Sequence, residues 1–350
     1  MKITKHNPGE LGRNQQQSFR KYGKYLVLLL LLVSMFLYRE RLGEIFAGVK
    51  DVTKAVVCKC IILSAAAYAL EGMTIAFMMG TAGGRPRAGK GISIGLLCEF
   101  YRMITLGNGS GFAEIHYIHK NGIEAGKAAA MTMIQYAFKR IAVMILGSIG
   151  FLILYLGQGT RQLCREYMPY MGTGILISLM IAACFFCLAL SPKIAGCAVS
   201  VLKWLSRKFS IIEKKASSWI EQIILLNRSG KSILGKKREM MRVIMCQVGK
   251  QLLFCSIPAV MLQGKSQLAV NECIWLMAAA CLLAGVIPAP SGAGSLEFVF
   301  ILFFSRFSEP GVPAAAILIF RFVTWVLPFM AGGLLIIREK YFTYRWNDND

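Results

Sequence analysis

The chain has 350 residues, 56% of them hydrophobic, and its 40 Lys and Arg against 18 Asp and Glu give a formal net charge of +22. This apolar share exceeds the roughly 45–50% of soluble domains, and long apolar runs recur along the chain, which excludes a soluble globular protein. Unbroken runs are also unlike the short alternating strands of membrane barrels, so the sequence predicts an all-α polytopic integral membrane protein.

The excess of basic residues flanks the apolar runs, as the positive-inside rule expects of cytoplasmic segments. Its predicted partner is the anionic inner leaflet, where each near-surface Lys or Arg contributes on the order of 1 kcal/mol. We therefore expect a membrane protein that binds no nucleic acid directly.

The N-terminal residues 1–21 form a basic tail that we place in the cytoplasm. The apolar run after it is followed by Tyr38-Arg-Glu-Arg41 rather than by a small-residue cleavage site, which favours a retained anchor over a cleaved signal peptide. The predicted membrane domain is 22–338, with a short C-terminal tail at 339–350. Segments long enough to span a core of about 30 Å are 22–38, 55–79, 128–157, 171–190, 243–263 and 312–337.

Two further apolar segments, 91–107 and 272–306, are interrupted by polar or helix-breaking residues. The basic loop 81–90 and the segment 191–242, with twelve Lys or Arg against three Glu, belong on the cytoplasmic side with the N-terminus. An even number of crossings must separate segments that lie on the same side, and 128–157 and 171–190 already supply it between 81–90 and 191–242. The segment 91–107 must therefore enter the bilayer and return to the same side, and 272–306 must do the same from the opposite face. The prediction is about six full crossings plus two broken re-entrant helical hairpins, with the C-terminus inside.

Within 191–242, apolar residues recur every three or four positions, which indicates an amphipathic helix. Two interpretations stay open: the helix lies on anionic lipid, or it packs against the cytoplasmic ends of the protein's own helices. The residues of this face are Leu205, Phe209, Ile212, Ala216, Trp219 and Ile223.

The segment 288–297 is the strongest local signal, because Pro288, Pro290, Gly292 and Gly294 cannot continue a helix. A broken backbone persists at membrane depth only where protein or a water-filled cavity satisfies its polar groups. We expect the next helix to begin near Ser295, whose hydroxyl caps free N–H groups, and its positive end to favour a phosphate. The alternative is an ordinary turn outside the membrane.

Ionisable residues that interrupt apolar runs predict a polar path through the bilayer, since each charge at a helix centre costs roughly 2.5–3.5 kcal/mol. We predict that four cations bind a lipid phosphate, while two carboxylates neutralise them at rest or hold a cationic headgroup. The alternative is buried ion pairing that fixes helix register. The cations are Arg102, Lys139, Arg140 and Arg321, the carboxylates are Glu99 and Glu297, and Glu71 and Lys250 also interrupt apolar runs.

No motif for a catalytic nucleophile, a nucleotide or a metalloprotease is present, so no catalytic residue is predicted. Glu114-x-His116-x-x-His119 places two imidazoles on one helix face without a third ligand, and we expect no metal. Most of the eleven cysteines lie in apolar runs, where Cys packs as a small hydrophobe, so we expect no disulfide framework and no cofactor.

The segment 288–297, with Phe320-Arg321-Phe-Val-Thr-Trp325 and Gly332-Gly333, resembles the C-terminal signature of the lysylphosphatidylglycerol synthase membrane region, a flippase-like family. The turn at 107–111 and the residues 113–123 are more loosely similar, and the resemblance covers roughly 15–340. Ser291 stands where the family pattern P-x-P-G-G-x-G-x-x-E has Gly. The early motif lacks its Pro-Phe and Gly-Gly-Gln-Pro, which weakens any headgroup contact at 105–114.

The resemblance implies an inner-membrane protein that binds phospholipid or polyprenyl-phosphate headgroups and moves them between leaflets. Full-length multiple peptide resistance factors add a soluble domain that transfers an amino acid from charged tRNA to phosphatidylglycerol. Only the tail 339–350 follows the last span here, so we expect phosphatidylglycerol lysyltransferase activity, the alternative function, only with a separate soluble aminoacyl transferase subunit. A third alternative is an assembly factor whose polar residues are structural.

Overall fold

The computed structural model describes residues 52–83, 87–105, 109–208, 210–287 and 294–347. The predicted first span 22–38 and the basic tail lie outside these residues. Within them the chain is helical, and the β-structure of this part is one isolated bridge between Ser266 and Ser308. The prediction of an all-α polytopic membrane protein is confirmed.

In chain order the helices are α1 (Lys54–Thr81), α2 (Ala88–Ile104), α3 (Ser110–Lys120), α4 (Ala125–Leu156), α5 (Arg161–Leu190), α6 (Pro192–Lys208), α7 (Ser210–Gly235), α8 (Lys237–Leu262), α9 (Val270–Ala284), α10 (Ser295–Phe304), α11 (Val312–Arg321), a π-helical turn (Phe322–Val326) and α12 (Leu327–Asn347).

Five helical stretches of the described chain are long and apolar enough to cross a membrane. They are α1, α4, α5, α8 and the continuous stretch Val312–Glu339, which joins α11 to α12 through the π-helical turn. Each corresponds to one of the five predicted spans that fall inside the described residues.

The two interrupted segments form helix–break–helix elements. Helix α2 has 17 residues and α9 has 15, which at 1.5 Å per residue makes them about 26 and 22 Å long. Their partners α3 and α10 have 11 and 10 residues. All four are shorter than a hydrocarbon core of about 30 Å, so we treat each pair as a hairpin that dips into the bilayer.

The ends of the first hairpin meet on one side of the molecule. Lys90 Nζ, near the start of α2, donates a 3.0 Å hydrogen bond to Oδ1 of Asn121, directly after α3. On the same side, Lys120 forms an ion pair with Glu339 of α12. We call this side, which also carries α6 and α7, the basic face.

The ends of the second hairpin meet on the other side, which we call the opposite face. The N–H of Gln267, before α9, donates a 2.8 Å hydrogen bond to the carbonyl of Phe307, after α10. Arg306 pairs there at 2.8 Å with Glu166, near the start of α5. The two hairpins therefore enter from opposite faces, as parity predicted.

The basic segment after α5 folds into α6 and α7, and the second half of α7 packs against the protein itself. Gln222 Oε1 accepts a 2.6 Å hydrogen bond from the N–H of Gly126 at the start of α4. Gly230 lies directly against Ala189 of α5. The two interpretations of the predicted apolar face stay predictions, because the side chains of 205–219, most of that face, lie outside the described residues.

Glycines let the hairpin helices approach the long helices closely, as small residues commonly do between membrane helices. Gly91 of α2 lies against the backbone of Gly72 in α1. A Cβ added at Gly150 of α4 would come within 2.7 Å of the Trp275 carbonyl in α9. Each hairpin is thus held against a long helix by backbone contact.

Candidate functional site

Polar side chains at mid-length of the long helices line two adjoining cavities between the hairpin breaks. Both cavities are lined by Glu99, Arg102 and Lys139. The first, which we call the Arg321 chamber, has a volume of about 160 Å³ and also contacts Lys250, Gln247, Phe320 and Trp325. The second, the Glu114 chamber, has a volume of about 370 Å³ and also contacts Glu71, Ser110, Tyr136 and Arg140.

Glu71 of α1 accepts from several side chains between the chambers. Its Oε2 lies 2.7 Å from Lys250 Nζ and accepts a 3.1 Å hydrogen bond from Gln247 Nε2. Its Oε1 lies 3.8 Å from Lys139 Nζ and 3.5 Å from Gln135 Nε2. Lys250 is only 4% exposed, so this carboxylate is what makes its burial tolerable.

The first hairpin contributes an ion pair near its break. Glu99 and Arg102 lie one turn apart on α2 and pair with each other, with exposed side-chain fractions of 13% and 23%. The Arg102 guanidinium also lies 5.2 Å from the centre of the Trp325 ring. The last turn of α2 is therefore attached to the π-helical turn of the final span.

The second hairpin contributes a tighter pair. Arg321 donates to Glu297 from Nε at 2.6 Å and from Nη2 at 2.8 Å, the paired geometry in which Arg binds a carboxylate best. Glu297 Oε2 also accepts a 2.9 Å hydrogen bond from the N–H of Gly294. The carboxylate thus covers the N-terminus of α10, where a phosphate oxygen is favoured.

Helix α10 begins at Ser295 as predicted, but the capping residue is Gly294, with φ at 90°. The expectation that the Ser295 hydroxyl is the cap is wrong, because Ser295 is already the first residue of the helix. The capping residue is Gly294, and its N–H donates to the Glu297 carboxylate. The sequence expectation for Pro288, Pro290 and Gly292 falls outside the described residues.

Trp325 lies between Arg102 of the first hairpin and Arg321 of the last span. Its ring centre is 3.9 Å from the guanidinium carbon of Arg321 and 5.2 Å from that of Arg102, both within cation–π range. The π-helical turn that places it frees backbone carbonyls, and α1 satisfies two of them: Ser64 Oγ donates to Val323 O at 2.7 Å and Tyr68 Oη to Thr324 O at 2.6 Å.

Arg140 differs from the other chamber cations. It is half-buried and lines the Glu114 chamber, and a Cβ placed on Gly285 at the second break would lie 3.2 Å from its Nη1. Among the described residues it forms neither an ion pair nor a hydrogen bond. A half-buried guanidinium that no described carboxylate neutralises is an anion-binding group by its chemistry.

The Glu-His-His motif on α3 does not converge on one point. His119 Nδ1 lies 2.9 Å from the carbonyl of Ile123, and Glu114 is 4% exposed and accepts a 3.2 Å hydrogen bond from Thr132 Oγ1. Within the described ranges, no group of three His, Cys, Asp or Glu side chains is arranged to hold a metal ion.

The family model of the lysylphosphatidylglycerol synthase transmembrane region matches residues 23–332. The chain belongs to this family. The resemblance seen in the sequence is thereby confirmed, and the chain is a multi-pass membrane protein related to lipid modification or flipping. No curated protein matches it.

For this member of the lysylphosphatidylglycerol synthase transmembrane-region family, the structure brings the six predicted headgroup residues around the two adjoining chambers. Arg102, Lys139 and Glu99 line both, Arg321 lines one with Glu297 paired to it, and Arg140 lines the other. Sequence reasoning noted Glu71 and Lys250 as intramembrane charges without assigning them to the site. It left out Gln247, Glu114 and Trp325, although Trp325 closes the Arg-x-x-Thr-Trp motif and Glu114 lies in the early motif.

Proposed function

We propose that this protein binds an anionic headgroup of a phospholipid, an aminoacylated phospholipid or a polyprenyl-phosphate lipid, and moves it between the leaflets of the bacterial cytoplasmic membrane. In this proposal the basic face is cytoplasmic. One observation carries it: the chambers between the two hairpin breaks gather five Lys or Arg side chains and four Glu, a net positive site at membrane depth. The cations are Arg102, Lys139, Arg140, Lys250 and Arg321, and the carboxylates are Glu71, Glu99, Glu114 and Glu297.

The charge arrangement favours exchange rather than permanent binding. Arg140 is the cation that a phosphate reaches without displacing a described carboxylate. Arg102 and Arg321 are neutralised at rest by Glu99 and Glu297, and a phosphate can take over either pair because it offers the same paired oxygens. The carboxylates then restore the resting pairs when the headgroup leaves, which limits the cost of an empty charged cavity.

The hairpin geometry supports movement in either direction. One hairpin is anchored on the basic face and the other on the opposite face, and each contributes a described residue beside its break, Arg102 of α2 and Leu296 of α10, to the lining of the Arg321 chamber. Broken helices that surround a mid-membrane site from both faces are the arrangement found in alternating-access transporters.

Lipid identification by native mass spectrometry of the purified protein tests binding directly. We expect a phosphate-bearing lipid to remain bound, and its occupancy to fall in Arg140→Gln protein while Arg306→Gln, an exposed arginine outside the chambers, leaves it unchanged. Equal occupancy in all three proteins contradicts the proposed site.

Lipids of cells that express this chain alone should contain no aminoacyl-phosphatidylglycerol on thin-layer chromatography; its appearance would support the transferase alternative.

A further inference from the structure

Glu114 is set apart from the other carboxylates of the chambers. Glu71, Glu99 and Glu297 each lie in an ion pair with Lys250, Arg102 or Arg321. Glu114 forms no ion pair within the described chain, although it is 4% exposed. Its one side-chain hydrogen bond there is donated by the neutral hydroxyl of Thr132.

An isolated carboxylate in such a place is unfavourable as an anion, because burial removes its water and no cation replaces it. A neutral carboxylic acid avoids that cost and keeps the Thr132 hydrogen bond. Two further hydroxyl groups line the same cavity as Glu114, since Ser110 Oγ and Tyr136 Oη lie 3.0 Å apart there.

We infer that Glu114 is a proton-binding site, and that proton binding there accompanies binding of the lipid anion; the second half of the inference rests on the proposed function. With Glu114 ionised, the chambers hold five cations against four carboxylates; with Glu114 protonated, they hold five against three. Protonation therefore increases the positive charge that an anionic headgroup meets. By linkage, headgroup binding must then raise proton affinity by the same factor.

Both acidic and basic side chains line the chamber around Glu114. Among the described residues, no basic side chain forms an ion pair with it. Helix α1 contributes Glu71, and the proton affinity of Glu114 rises with this neighbouring carboxylate and falls with the cations of α4. The titratable and charged groups that line the chamber or belong to α3 are Glu71 from α1, Cys98, Glu99 and Arg102 from α2, Tyr136, Lys139 and Arg140 from α4, and His116, Tyr117, His119 and Lys120 from α3 itself.

Infrared spectroscopy of the purified full chain tests the proton site without any transport assay. Wild-type protein should give a carboxylic-acid C=O band near neutral pH that disappears on alkaline titration. Glu114→Gln should lack this band, and Glu309→Gln, a control at an exposed carboxylate, should retain it. A wild-type spectrum without the band, or a band that persists in Glu114→Gln, overturns the inference.

Proton uptake tests the coupling. Short-chain dihexanoyl phosphatidylglycerol is added in weak buffer, with a pH-indicator dye, at the midpoint of the infrared titration. We expect uptake by wild type and by Glu309→Gln, and none by Glu114→Gln, whose affinity for the probe should also be independent of pH. Binding without uptake overturns the coupling and leaves the proposed function standing. If the probe does not bind at all, the proposed function loses its support, and the infrared band alone decides whether Glu114 holds a proton.

Discussion

The guanidinium of Arg321 forms two hydrogen bonds with the carboxylate of Glu297, at 2.6 and 2.8 Å, and so ties the last span to the second hairpin. The same carboxylate accepts from the N–H of Gly294 at the start of α10. One side chain therefore covers both a guanidinium and a helix N-terminus, the two groups at this break that favour a phosphate. A headgroup that binds Arg321 must displace this carboxylate.

Glu297→Gln should trap lipid rather than release it. The amide keeps the shape of the side chain but loses the charge that returns Arg321 to its resting pair, so the guanidinium stays bound to phosphate. We expect more lipid to co-purify and translocation to fall roughly tenfold, which corresponds to about 1.4 kcal/mol. The matched control is Glu166→Gln, which removes the Glu166–Arg306 pair on the opposite face, outside the chambers. Equal effects of the two substitutions contradict the trapping mechanism.

Gly294→Val should lower transport while the protein still inserts into the membrane. Its φ of 90° is unfavourable for a residue with a Cβ, by roughly 1–3 kcal/mol, although space around the position is open. The strain therefore moves the N-terminus of α10 rather than the core. Gly172→Val, at an open position inside α5, should leave transport near wild type. A fully active Gly294→Val protein would mean that the break has no part in the site.

Gly91→Ala should lower the melting temperature, because its methyl group would collide with the backbone of Gly72 and push α2 away from α1. Gly89→Ala, two residues earlier on the same helix, meets open space and should be neutral or slightly stabilising. Thermal unfolding in detergent measures both. Equal melting temperatures would show that α2 is not held by this contact.

Removing Glu71 should destabilise the protein more than removing Lys250. Glu71→Gln leaves the buried Lys250 without its carboxylate and also removes the 3.8 Å contact with Lys139, and an uncompensated buried charge costs about 3–5 kcal/mol. Lys250→Met leaves Glu71 with Lys139 and Gln247, and the double variant should recover part of the stability. Thermal unfolding of the three proteins checks the order, and a less stable Lys250→Met protein contradicts it.

The sequence predicted those parts of the architecture that depend on the order of apolar and charged residues along the chain. The lengths of the apolar runs predicted the five described spans. The positions of the basic segments predicted that the two hairpins have their ends on opposite faces. The sequence could not predict which side chains pair between different helices. Nothing local indicates that Glu71 meets Lys250, 179 positions later, or that Trp325 lies between two arginines from different elements. The expected cap at Ser295 was wrong for a local reason, because the helix begins after Gly294, and glycine readily takes the positive φ of that position.

Translocation by reconstituted protein is the most direct test of the central claim, that cations between the hairpin breaks move a lipid anion. Liposomes that contain labelled phosphatidylglycerol are treated with dithionite, which quenches only label on the outer leaflet. Wild-type protein and Arg306→Gln should accelerate quenching of the inner-leaflet label, and Arg140→Gln should reduce that rate roughly tenfold or more. Equal rates with and without wild-type protein, or equal rates for Arg140→Gln and Arg306→Gln, would contradict the account.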